Sequence, residues 1–148
     1  MSSYRQNLHH LIFHTKSNQL TILEEYSKDL YNYLWGIIKN KNSKLIQING
    51  VENHIHLLVD IHSSIALADF MRDLKSSSSI WMKQSKKFPD FIGWAEGYGS
   101  FTVSYDHKDQ VIGYIKKQKI HHTKETFEDE YRRVLKENGV ELDEKFFL

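Results

Sequence analysis

Hydrophobic residues recur along this chain at two different spacings, and the switches between them divide it into candidate strands and helices. Leu8 to Lys16 (LHHLIFHTK) is short and alternates imperfectly, which predicts a strand with histidines on one face. From Leu23 to Lys41, Tyr26, Leu30, Tyr33, Leu34 and Ile37 return at three- and four-residue steps, the pattern of an amphipathic helix. Lys44 to Asn49 alternates again and meets the turn signal Asn49-Gly50, and His54 to His62 (HIHLLVDIH) is apolar and β-branched. Two adjacent antiparallel strands are therefore expected.

Ser64 is placed to cap a second helix over Ile65 to Gln84, with Leu67, Phe70, Met71 and Leu74 as its apolar stripe. The four serines from Ser76 to Ser79 fall inside that pattern and are too short a run for a linker. The single proline, Pro89, marks an irregular connection. Tyr98 to Tyr105 reads as a strand, and Lys108 to His121 as a helix with Val111, Ile112, Ile115 and Ile120 apolar. Thr126 and Asp129 open a last helix with a capping-box-like pair, and Asn138-Gly139 closes it. The order β-α-β-β-α-β followed by two helices predicts an α+β fold of the ferredoxin-like split βαβ kind, built on an antiparallel sheet. One domain over residues 1–148 is expected, with a helical tail at 124–148.

Composition narrows the chemistry. With 148 residues and 40% hydrophobic content, one core is affordable and a second is not. A net charge of +1 gives no general basic field, so any nucleic-acid site must be a local patch. The absence of cysteine excludes disulfides, thiolate nucleophiles and sulfur-ligated zinc. Met1 to Arg5 starts no apolar stretch of signal-peptide length, and no run approaches the roughly 18 residues of a membrane span, so the expected location is the cytoplasm with no membrane partner.

In a strand, His54 and His56 project to one face while Ile55 faces the other. Two adjacent imidazoles can chelate one divalent ion, although by spacing alone such a pair is more often two half-exposed strand residues without a ligand. Tyr114 and Gln118, four apart on the predicted helix, share a face; they are either a surface pair or a phenol beside an amide oxygen that completes a metal site. Two imidazoles and an amide oxygen, with no sulfur, suit Mg²⁺ or Mn²⁺. A phenol with an ordinary pKa near 10 needs a nearby cation or base to act as a nucleophile. Lys75, Lys83, Lys86, Lys87, Lys116, Lys117 and Lys119 are candidates for tracking phosphates, with Trp81 or Tyr98 stacking on unpaired bases. The remaining histidines read as ordinary strand or surface residues, some of them candidates to support the metal ligands from behind. Glu128, Asp129, Glu130, Arg132 and Arg133 read as a charged exterior over a packed Phe127, Tyr131 and Val134.

ENHIHLLVD, from Glu52 to Asp60, resembles the His-hydrophobic-His (HUH) motif of the single-tyrosine insertion-sequence transposases and the REP-associated tyrosine transposases. YIKKQ from Tyr114 to Gln118 is similar to that family's YxxxQ motif, and LKSSS at 74–78 and WAEGYGSFTVS at 94–104 resemble its intervening segments. Asn53 stands where many relatives have Asp. The resemblance spans about Leu8 to His122 and implies the HUH pair on a central strand and the tyrosine on a C-terminal helix. It implies that His54, His56 and Gln118 bind the ion and that Tyr114 attacks a single-stranded, hairpin-bearing DNA to give a 5′-phosphotyrosine intermediate. It further implies a homodimer in which the tyrosine helix of one subunit can complete the other's site. Two other readings stand beside it: a domesticated DNA-hairpin-binding protein of the same fold, and a metal-dependent hydrolase built on the histidine pair.

Overall fold

A computed structural model describes residues 3–147. Four strands form one antiparallel sheet in the order β2-β3-β1-β4: β1 (Leu8–His14), β2 (Lys44–Val51), β3 (His54–Asp60) and β4 (Gly99–Thr102). Five helices accompany it: α1 (Ser27–Asn40), α2 (Leu67–Ser85), α3 (Lys108–Lys116), α4 (Gln118–His121) and α5 (Phe127–Glu137). The β-α-β-β-α-β order and the strand order are those of the split βαβ arrangement expected from the hydrophobic pattern.

Alternation along the central strands gives the sheet two different faces. Leu11 and Phe13 of β1 and Ile55, Leu57 and Val59 of β3 meet Leu30, Leu34 and Ile38 of α1 and Phe70, Met71 and Leu74 of α2. Burying each such side chain contributes about 1.5–3 kcal/mol, so this layer holds most of the fold's apolar stabilisation. The opposite face carries His10, Ile12 and His14 of β1 with His54 and His56 of β3, and α3, α4 and α5 cover it.

Several boundaries depart from the sequence pattern. Asn49 and Gly50 do not turn; β2 runs through them to Val51, and Glu52-Asn53 makes the turn. Gly50 is there for another reason: a Cβ at that position would lie 2.3 Å from the carbonyl oxygen of His54. A β-bulge between Leu45 and Gln47 breaks the strict alternation of β2, so Leu45 and Ile48 both pack on the helix face while Ile46 packs on the other. Ser64 does not cap α2. Its hydroxyl and amide bond the His62 ring, and Ala66 precedes the helix without a side-chain cap. The serine run does lie in α2, where Ser78 donates to the Leu74 carbonyl and accepts from the Trp94 indole at 2.9 Å. Lys108 to His121 is broken at Lys117, and Ile120, one of the apolar positions of that pattern, is 65% exposed beyond the break. The Asn49 amide fixes that break by donating to the carbonyls of Ile115 and Lys116. Thr126 caps α5 as expected, accepting from the Asp129 amide.

Candidate active site and metal centre

Both histidines of β3 are fully buried, not half-exposed, because α4 and α5 lie across them. Phe127 at the start of α5 stacks on the His54 ring at 4.0 Å. On the neighbouring strand His10 reaches the other central histidine, its Nε2 2.8 Å from His56 Nδ1. His10 and His14 are buried as well, so these two histidines of β1 are part of the site's floor and not surface residues.

One carboxylate joins the rest. Glu130 of α5 is 0% exposed; its Oε1 lies 3.2 Å from His54 Nε2, 3.2 Å from His56 Nε2 and 2.8 Å from His122 Nε2. Its Oε2 accepts from Gln118 Nε2 at 2.9 Å and, through a very short bond, from the Tyr114 hydroxyl. Arg133, one turn further along α5, donates to the same hydroxyl at 2.9 Å. Glu125 holds that guanidinium in turn, at 3.0 Å. Placing Glu130 and Arg133 on a charged exterior is therefore corrected. The missed signal was helical phase, since Glu130 lies three residues after Phe127 and four before Val134, on the buried stripe.

Burial sets the charge states here. It lowers His10 to about 3, reinforced by His56, and His54 to about 4, with the Glu130 carboxylate opposing. His56 is lowered for the same reason. Burial alone would raise Glu130, but the imidazoles of His122, His54 and His56 around it hold its carboxyl far below the usual range. Burial raises the Tyr114 phenol, the Glu130 charge raises it further, and Arg133 pulls it back. The cluster thus combines neutral His10, His54 and His56, one carboxylate anion and a protonated phenol.

That donor set fits a cation. Asn53 Oδ1 lies 2.8 Å from His54 Nδ1 and can only accept, so this ring carries its proton there and turns the Nε2 lone pair inward. Gln118 donates its amide to Glu130 and so points its oxygen at the same Nε2, 3.2 Å away. Nε2 of His54, Oε1 of Gln118 and Oε1 of Glu130 are then lone pairs facing one another. Among the described residues, ligand atoms of His54, His122 and Glu130 all lie within 4.8 Å of one another.

The sequence model described as "Transposase IS200 like" matches residues 3–118. The chain belongs to the IS200-like transposase family. It is 24% identical over 115 residues to the IS200 insertion-sequence transposase of Salmonella typhimurium, covering 74% of this chain and 75% of that one. It is 27% identical to the ISDra2 transposase of Deinococcus radiodurans, over 74% and 82% of the two chains. A crystal structure of a Deinococcus radiodurans R1 protein assigned as a transposase superposes with a TM-score of 0.62 at 26% identity, over 80% of this chain and 95% of that one. A REP-associated tyrosine transposase, solved bound to a REP hairpin, shares the fold with a TM-score of 0.61 at 10% identity, over 82% and 74%.

The lysines considered for DNA lie apart in this IS200-like fold. Lys75, Lys83, Lys86 and Lys87 are on or just after α2, which packs on the sheet face away from the histidines. Lys75 donates to the carbonyls of Ala95 and Gly97, and Lys87 pairs with Asp29 at 2.6 Å. Trp81 stacks on Tyr33 at 4.8 Å, and Tyr98 packs against the same apolar layer. Lys119 bonds the Gly50 carbonyl and Glu24. Lys116 and Lys117 are exposed beside Tyr114. Two clefts of about 560 Å³ flank the buried cluster, one bordered by Asn53, Lys119 and His122, the other by His107, Tyr114 and Arg133. Among the described residues no helix is long and apolar enough to cross a membrane.

Proposed function

We propose that this transposase cuts and rejoins single-stranded DNA through a covalent 5′-phosphotyrosine formed by Tyr114. The observation that carries the reading is the meeting of the Tyr114 hydroxyl and the His54-His56 pair on one buried carboxylate, within a single chain. His54, His56 and Gln118 would hold a divalent ion, Mg²⁺ or Mn²⁺, which would supply Lewis-acid polarisation of the scissile phosphodiester. Glu130 Oε2 is the acceptor in place for the phenol's proton, and Arg133 stabilises the phenolate. The phenolate oxygen bonds phosphorus, the bond from phosphorus to the 3′-oxygen breaks, and that oxygen leaves with the electron pair and takes up a proton. Because a phosphotyrosine ester replaces a phosphodiester, a later 3′-hydroxyl can reverse the exchange and reseal DNA without ATP.

The cleft bordered by Tyr114 and Arg133 is the reading's approach for the strand, with Lys116 and Lys117 beside it for phosphates. A REP-associated transposase of this fold was solved on a REP hairpin, which supports a hairpin-bearing substrate here. Incubation with Mn²⁺ and a labelled single-stranded hairpin should give a denaturation-resistant adduct that Tyr114→Phe abolishes; an adduct undiminished in that variant overturns the assignment. Hairpin binding with no adduct in any divalent metal would point instead to a binding module.

The dimer implied by the family resemblance has its own test. Mixing Tyr114→Phe subunits with His54→Ala subunits restores the adduct only if subunits exchange their tyrosine helices.

A further inference from the structure

We propose that Glu130 is itself a ligand of the divalent ion, delivered to the histidine pair by α5, a helix that follows the stretch matched by the family's sequence model. The inference rests on the metal site proposed above and extends it to a residue outside residues 3–118. Position is the first support. Glu130 Oε1 is 3.2 Å from the Nε2 atoms of both His54 and His56, and Gln118 Oε1 is 3.2 Å from His54 Nε2. Bonds of about 2.1 Å place neighbouring ligands of an octahedral ion about 3 Å apart, close to the spacing that separates Glu130 Oε1 from each histidine nitrogen and Gln118 Oε1 from that of His54.

Chemistry is the second support. His54 turns a lone pair, and not a proton, toward the carboxylate and the Gln118 oxygen, because its other nitrogen faces the Asn53 oxygen. Mutually facing acceptors repel unless a cation sits among them. Two imidazoles and a neutral amide bring no charge to offset a divalent ion, and Asn53, next to the first histidine, brings none either. Glu130 supplies the hard anionic oxygen that Mg²⁺ and Mn²⁺ prefer.

Placement is the third. Oε2 is occupied by Tyr114 and Gln118, which orients Oε1 toward the histidines. The helix is pinned by Phe127 on His54 and by Tyr131, whose ring sits where a Cβ on Gly99 would come within 3.0 Å. A carboxylate held this way is preorganised for an ion. A carboxylate that merely plugged the site would occupy the same volume, and the two roles move metal affinity in opposite directions.

The test is calorimetric titration of Mn²⁺ into the metal-stripped full chain. Glu130→Gln should bind at least about tenfold more weakly than the unaltered protein, while Glu128→Gln on the exposed side of α5 should match it. Affinity within twofold of the unaltered protein, or tighter binding as a plug predicts, overturns the inference. If His54→Ala keeps full affinity, or the unaltered protein binds no Mn²⁺, the histidine site itself fails; if only Glu130→Gln is silent, the site stands and the role of Glu130 falls. Should Glu130→Gln not fold, crystals of the unaltered protein grown with Mn²⁺ decide: an anomalous peak about 2.1 Å from a Glu130 oxygen supports the ligand, and a carboxylate turned away from the peak refutes it.

Discussion

Around Glu130 each residue's protonation depends on its neighbours, and this has a consequence for stability. His10 and His54 stay neutral in the folded chain down to about 3 and about 4, against 6.5 for an ordinary imidazole. Below pH 6.5 the unfolded chain takes up protons that these folded rings refuse, so stability falls as pH drops from about 6.5 toward 4. The depressed Glu130 carboxyl acts in the same direction below its ordinary 4.5. The melting temperature of metal-free protein should therefore hold above about pH 7 and fall below it, and His10→Asn should flatten part of the slope. Arg133 gives a second prediction. Its planar fork reaches Tyr114 and Glu125 together, which a lysine ammonium does not reproduce, so Arg133→Lys should slow adduct formation at least about tenfold in a time course.

At the scale of elements, the hydrophobic pattern was legible wherever one face of a strand or helix is buried and the other wet. It located β1, α1, β3, α2 and α5 and the His54-His56 face. It failed where tertiary contacts override local periods. Asn49-Gly50 has the chemistry of a turn, yet the strand continues because Asn49 bonds the end of α3 and Gly50 admits the His54 carbonyl. Gly50→Ala should consequently destabilise the protein by about 1–3 kcal/mol in urea unfolding and disturb the neighbouring His54. Glu130 escaped notice for a related reason: in EDEYRR, charge dominates composition, and only the phase shared with Phe127, Tyr131 and Val134 reveals that one of the acids turns inward.

For the whole molecule, the sheet is a partition, with general packing on the α1-α2 side and chemistry on the other. The second side is closed by α5, whose Phe127, Tyr131 and Val134 cover Ile12 and Phe101. Removing residues 124–148 should expose that apolar surface, lower the melting temperature and increase binding of a hydrophobic dye. Since Phe127 is both core residue and stacking partner of His54, Phe127→Ala should cost about 3 kcal/mol in stability and also weaken adduct formation. A saturation screen would thus sort α5 by helical phase and not by amino-acid character: positions 127, 130, 131 and 134 would fail together, apolar and acidic alike, and Arg133 would fail with them in adduct formation, while Glu128, Asp129 and Arg132 would accept almost any replacement.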